Sequence, residues 1–470
     1  MTWIDLILTP LYLLVFYGLA YYIKPRVTNK HTAKHFIPGY TVKIIGAIAV
    51  GLVYQFYYSG GDTFNFYKDS TRIYQAFMES PVLGVKLLFA TERYDPETAE
   101  LYAYASRIAF FYDASSYFVI KLAAVVSLFT FNTYTVIACI FASVSYSGLW
   151  NLYRTFYRLY PHLNKYLAYS ILFVPSVFFW GSGYLKDTVT LGAVGWAVYC
   201  VHQLFIERKM SFPLVIMLLI SFYVVYMIKI YIIISLFPAL VLWVFLQYSK
   251  NIKNTFVRYV VTPVLMLLAG VLGFYGTQKI GEGNHRYSLD RISYTAEATA
   301  RWLTYVSEQQ GGSVYTLGDF DYSTAGMIRK ALPAINVTLF RPYVWEVKNV
   351  VMLLSALESL FLLLFTLYVV YKRGLYGFFR GIKDDPTVLF CLIFAIAFSF
   401  AVGVSTYNFG SLVRYKIPML PFYLIALLVL LKPHGKRVLV KRRRKVVRLA
   451  ETEKASSTVF RANSPIPLRS

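Results

Sequence analysis

Residues 212–247 read FPLVIMLLISFYVVYMIKIYIIISLFPALVLWVFLQ, an almost wholly apolar tract. A helix crosses a hydrocarbon core of roughly 30 Å with about 20 residues, so this tract is too long for one crossing and reads as two spans, 212–228 and 230–247. Working outward, apolar runs near 3–23, 42–58, 116–131, 133–150, 166–182, 188–205, 257–276, 348–371, 386–404 and 416–432 bring the candidates to twelve. The composition agrees, with 57% hydrophobic and 15% charged residues among 470 and a mean hydropathy of +0.52. Such values exclude a soluble multidomain protein, a disordered chain, a coiled coil and a secreted disulfide scaffold. The expected fold is all-α: a polytopic transmembrane bundle of about 11–12 helices over residues 1–432, then a basic, disordered tail over 433–470.

The formal charge of +24 is interpreted through its placement. Nine Lys and Arg lie between Lys432 and Arg448, just after the last apolar run. That is the signature of a cytoplasmic tail near anionic headgroups, and it is preferred to nucleic-acid binding. Basic clusters at Arg154/Arg158/Lys165, Arg208/Lys209, Lys250/Lys253 and Lys372/Arg373/Arg380/Lys383 mark the same side. The first run has Asp5 near its start and is followed by Lys24, Arg26, Lys30 and Lys34, which puts the N-terminus outside. Twelve crossings cannot join an outer N-terminus to an inner C-terminus. The run 116–131, about 24 Å at helical rise, is therefore expected to merge with 133–150 into one bent crossing, leaving eleven. Two long loops, 59–115 and 277–346, then lie outside. They are expected to carry surface helices over 62–77, 81–90 and 292–308, an acidic stretch from Glu92 to Glu100, a Gly311-Gly312 turn and a further helix ending near Pro333.

Four constellations could carry chemistry. Ser59-Gly60-Gly61-Asp62-Thr63 opens the first outer loop, and Asp69 follows Asp62 by seven residues, two helical turns, so the two share a face if the segment is helical. A carboxylate at the membrane boundary suits a general base, although capping of the following helix explains Asp62 equally well and the two roles can coexist. In the turn Trp180-Gly181-Ser182-Gly183-Tyr184-Leu185-Lys186-Asp187, Lys186 and Asp187 either neutralise one another or hold a phosphorylated headgroup. In Leu339 to Glu346, Pro342 is expected to start a helix continuing to Val370, which would place Arg341 at an anion-binding helix N-terminus. Trp345 there reads first as an interfacial anchor and second as a sugar-stacking ring. In Asn408 to Pro418, Arg414 and Lys416 are outer cations. With Arg341 and Lys186 they need anionic partners, either carboxylates such as Glu346 and Asp187 or a lipid phosphate or diphosphate.

Other chemistries are missing. There is no Walker A run, dinucleotide-binding glycine pattern or zinc motif, and Cys139, Cys200 and Cys391 each sit in apolar runs as packing residues. No cofactor and no metal site are expected, with dependence on a divalent ion left open.

Gly61-Asp62-Thr63, the Pro175…Gly183…Lys186-Asp187 turn, the large late outer loop and the Gly410…Arg414-Tyr415-Lys416…Pro418…Pro421 stretch together resemble the GT-C and Wzy-like bacterial polytopic glycosyltransferases and oligosaccharide polymerases. The resemblance implies transfer of a sugar or oligosaccharide from a polyprenyl-phosphate-linked donor on the outer leaflet of the bacterial inner membrane, in envelope polysaccharide or glycoconjugate biosynthesis. Asp62 then looks like the acidic catalytic residue and Arg414 like a phosphate-contacting arginine. The implied partners are the lipid-linked donor, a saccharide or other acceptor, and membrane lipids, with no nucleic acid. An extra N-terminal span and the lack of a separate globular late domain depart from the family's pattern. The full assignment is Asp62 and Asp69 as catalytic residues, with Lys186, Asp187, Arg341, Trp345, Glu346, Arg414 and Lys416 binding substrate. The competing readings are a transporter or flippase of an anionic lipid or solute, and a membrane scaffold of an envelope complex.

Overall fold

The computed structural model describes residues 3–94, 99–250, 292–309, 313–318 and 320–432, with isolated positions at 268, 270 and 275. Apart from those isolated positions, the expected span 257–276 lies outside the described residues, as do the Gly311-Gly312 turn, the tail 433–470 and part of the acidic stretch. Among the described residues no strand forms, and seven helices are long and apolar enough to cross a membrane, or eight with one bent pair. The chain is a multi-pass, all-α membrane protein.

The long helices begin with α1 (Trp3–Val27) and α2 (Ala33–Leu52), the latter running into a π-helical turn at Val53–Tyr57. At the end of the bundle where α2 stops, a surface layer is built from α3 (Asp62–Glu79), α4 (Pro81–Phe89), α5 (Ala99–Ala105) and α6 (Ala114–Leu128). The two surface helices expected after Gly61 are therefore present as α3 and α4. The run 116–131 forms α6, which a break at residues 129–133 separates from the helix that follows. Phe131 and Asn132 have positive φ in this break, Tyr67 Oη donates to the Asn132 carbonyl at 2.6 Å, and α6 packs on α3.

Next come α7 (Tyr134–Leu159), α8 (Asn164–Leu172), α9 (Pro175–Trp180) and α10 (Lys186–Val201). The expected span 166–182 is broken in two because Pro175 forces Val174 out of the helical region, to φ −67° and ψ 124°. Helices α7 and α10 cross closely through glycine: a Cβ at Gly148 would lie 1.9 Å from the Gly192 carbonyl oxygen. Gly148→Ala gains about 1 kcal/mol of helix propensity, but a clash with backbone cannot relax by a rotamer change and costs about 1–3 kcal/mol or more. A net loss in thermal stability of the purified variant is the expected result.

Helix α11 (Phe212–Lys250) contains the tract quoted above. Phe222 and Phe237 are fifteen residues apart, yet their ring centroids lie 6.4 Å from one another, where a straight helix would separate them by about 22 Å. Tyr248 Oη donates to the Phe205 carbonyl at 2.7 Å, just before the segment begins. The helix thus folds back on itself at Lys229, whose φ of −147° and ψ of 75° are non-helical. The two spans expected over 212–228 and 230–247 are the arms of this hairpin, and Lys229 is its tip.

The remaining elements are α12 (Ile292–Gln309), α13 (Thr324–Arg329), α14 (Ala331–Phe340), α15 (Val350–Asp384), α16 (Pro386–Ser405), α17 (Phe409–Tyr415) and α18 (Leu420–Leu431). Pro333 lies near the start of α14 and does not end a helix. Pro342 does not open the next long helix either. That helix starts at Val350, where the Asn349 side chain accepts from Met352 N at 2.9 Å, and it turns at Gly374, which has a φ of 64°. Helices α17 and α18 meet at 66°. Trp243 stacks on Phe390 and donates to Thr387 Oγ1 at 3.1 Å, which fixes the second hairpin arm against α16.

Candidate functional site

The site forms where α2, α3, α10, α11 and α17 converge. The π-turn at the end of α2 carries Tyr54, and Gly60 and Gly61 follow with φ of 139° and 117°. Glycine is required at 61 twice over, because a Cβ there would also lie 2.8 Å from the Tyr54 ring. This turn sets Asp62 as the first residue of α3. Asp187 stands in the first turn of α10, where the helix dipole favours a carboxylate. Arg414 stands in the last turn of α17.

Arg414 joins these elements. Its Nη1 donates to Asp62 Oδ2 at 2.9 Å and to Tyr54 Oη at 3.0 Å, while Nη2 donates to Asp187 Oδ2 at 3.3 Å. Lys229, at the hairpin tip, donates to the other Asp187 oxygen. Charges therefore alternate along Lys229, Asp187, Arg414 and Asp62. The side chains of Asp187 and Lys229 are 1% and 8% exposed, Arg414 17% and Asp62 48%. Breaking a buried pair strands a charge at a cost of about 3–5 kcal/mol, whereas a half-exposed carboxylate contributes at most about 1 kcal/mol. The buried end of the chain is the rigid one.

A second arm comes from the loop before α6. Lys186 donates to Asp113 Oδ2 at 3.2 Å and to Ser115 Oγ at 2.7 Å. Burial raises the affinity of Asp113 for a proton, but the Lys186 ammonium and the Ser116 and Ser115 hydroxyls outweigh it and hold the carboxyl at about 2. Its contribution to stability is complete above the ordinary aspartate value and is lost as pH falls from about 4 towards 2. The group is more than a third exposed, which limits the effect to less than about 1 kcal/mol. Thermal unfolding between pH 5 and pH 2 is expected to show a slightly shallower acid loss in Asp113→Asn than in the unaltered protein.

Together these groups line a cavity of about 720 Å³. Asp62, Asp113, Lys186, Asp187, Lys229 and Arg414 supply its charged groups, with formal charges that balance. Ile228 and Ile234 of the hairpin, Phe400 and Val402 of α16, and Met327 add apolar side chains. Thr295, Ala296 and Thr299 of α12 bring the late loop onto the same cavity. No protein-family model matches the chain, nor does any curated protein or solved structure.

Of the residues singled out in the sequence, Asp62, Lys186, Asp187 and Arg414 meet at this cavity, and five do not line it. Asp69 accepts from the backbone N–H groups of Ala109 and Phe110 at 3.1 and 2.9 Å, so it anchors the loop that carries Asp113. Burial raises its affinity for a proton against those two hydrogen bonds. Arg341 is held by both carboxylate oxygens of Glu346, which also accepts from Tyr343 N at 2.8 Å. With the helix start moved to Val350, the expected anion site beside Arg341 is replaced by this closed local pair. Trp345 is 81% exposed and stacks on Tyr343 at 4.8 Å. Lys416 is fully buried and donates to Ser359 Oγ at 2.9 Å, which in turn donates to the Arg341 carbonyl. Among the described residues no group of three or more His, Cys, Asp or Glu is arranged to hold a metal ion.

Lys229, Asp113 and Tyr54 were missed by sequence reasoning. Lys229 left a signal, since it is the one charged residue inside the 212–247 tract, and a cation in an apolar span is a functional candidate by default. Asp113 and Tyr54 left none that distinguishes them from neighbouring loop and interface residues.

Proposed function

We propose that this chain is a membrane glycosyltransferase or polymerase that moves a sugar or oligosaccharide from a polyprenyl-phosphate-linked donor to a hydroxyl acceptor. The proposal includes its setting: the bacterial inner membrane, the Asp62 end outside, and the basic clusters Arg154/Arg158 and Arg208/Lys209 on the cytoplasmic side. One observation carries the reading. Asp62 and Arg414, 352 residues apart, meet at a cavity lined by both charged and apolar side chains. An amphipathic donor needs such a mixed lining, cations for its phosphate and apolar side chains for its hydrocarbon.

In this mechanism the acceptor hydroxyl attacks the sugar C1 as Asp62 takes its proton. The bond from C1 to the phosphate oxygen breaks, and the electron pair leaves with the phosphate. Arg414 and Lys186 stabilise that developing charge in a site partly closed to water. Lys229 and Asp187 hold Arg414 in place. The test is incubation of the full-length protein in nanodiscs with a polyprenyl-diphosphate-linked oligosaccharide and a free oligosaccharide acceptor. Release of polyprenyl diphosphate together with a lengthened acceptor is expected. Donor binding without bond cleavage would instead indicate a carrier of anionic lipids and end the transferase reading.

A further inference from the structure

The two carboxylates on Arg414 are not equivalent. Asp187 is buried and tied through its second oxygen to Lys229, whereas Asp62 is 48% exposed and meets the guanidinium through Oδ2. A phosphate oxygen offers Nη1 the same negative charge and acceptor geometry as a carboxylate oxygen. Displacing Asp187 would strand Lys229 in the protein interior, but displacing Asp62 returns a half-exposed group to water.

We propose that Asp62 is a built-in competitor on Arg414: a phosphate group entering the cavity takes the Nη1 position from Asp62 and so releases the Asp62 carboxylate. The ligand's identity, a lipid phosphate, rests on the transfer reading, which this exchange deepens. Capture of the anion and release of the base become one event, so Asp62 disengages only when a phosphate is in place. Tyr54, accepting from the same Nη1 at 3.0 Å, steadies the guanidinium during the exchange. Arg414 Nε, buried without a hydrogen-bond partner, is a donor committed to neither carboxylate. By linkage, whatever Asp62 contributes on Arg414 is subtracted from phosphate binding there.

The experiment measures binding of a short-chain polyprenyl phosphate to the full-length protein in nanodiscs, with inorganic phosphate and the free polyprenol as separate arms. Asp62→Asn is expected to bind polyprenyl phosphate about two- to fivefold more tightly than the unaltered protein. That gain is expected to vanish in an Arg414→Gln background, where a simple change of net charge would persist. An equal gain with inorganic phosphate supports the exchange and assigns it to the phosphate alone. A gain with the polyprenol overturns it. A second reading avoids the risk that Arg414→Gln fails to fold: difference infrared spectra of the unaltered protein should show phosphate shifting a carboxylate band that is absent from Asp62→Asn. Unchanged or weaker affinity in Asp62→Asn, a gain that survives without Arg414, or no such band shift overturns the proposal. Since binding and not turnover is measured, a protein that exchanges Asp62 but transfers no sugar refutes the transferase alone.

Discussion

Asp62→Asn is expected to lower transfer turnover by about 10²- to 10⁴-fold, the usual worth of a positioned general base. Asparagine keeps an oxygen for the Arg414 Nη1 hydrogen bond but cannot accept the acceptor's proton. The side chain is 48% exposed, so the fold should lose less than about 1 kcal/mol. The expected outcome is therefore a drop in kcat, with KM for the lipid donor lowered and the melting temperature nearly unchanged. Asp69→Asn makes the useful contrast. Asp69 grips the Ala109 and Phe110 amides, so its loss should appear first as stability and only indirectly as rate. Comparable turnover by Asp62→Asn and the unaltered protein, each shown folded by its unfolding transition, would remove Asp62 from the chemistry.

Lys229→Met is expected to be the most destabilising single change at the site, by about 3 kcal/mol. Methionine fits the length of the lysine stem but leaves Asp187, 1% exposed, with Arg414 as its remaining cation. The full cost of stranding a buried charge is about 3–5 kcal/mol, and Arg414 offsets part of it. Adding Asp187→Leu should restore part of the loss, because the apolar pair carries no desolvation cost while Arg414, deprived of Asp187, keeps Asp62 and Tyr54. Thermal unfolding of the single and double variants checks both statements. If Lys229→Met melts with the unaltered protein, the hairpin tip is not held by this pair.

The bundle was largely legible along the chain. Apolar runs at 3–23, 133–150, 188–205, 348–371 and 386–404 coincide with helical segments to within about two residues at their starts, because burial in a membrane demands long apolar stretches that hydropathy reads directly. The surface helix after Gly61 and the amphipathic helix near residue 292 were legible for the same reason, through their polar and apolar faces. Local breaks were less so. Where a run such as 116–131 breaks depends on what packs against it, here α3 through Tyr67 and Thr71 on Asn132.

Sequence alone, then, determined that this is a polytopic helical membrane protein and that ionised groups gather near the ends of its helices, since both properties follow from the cost of burying polar and charged atoms. Tertiary structure decided which of those groups act together. Arg341 closes on Glu346, five residues away, while Arg414 reaches back 352 residues to Asp62 and Asp187 binds a lysine at the turn of a hairpin. Charge pairing is a matter of distance in space, and the same cations would have been equally plausible in either role until the helices that carry them were packed.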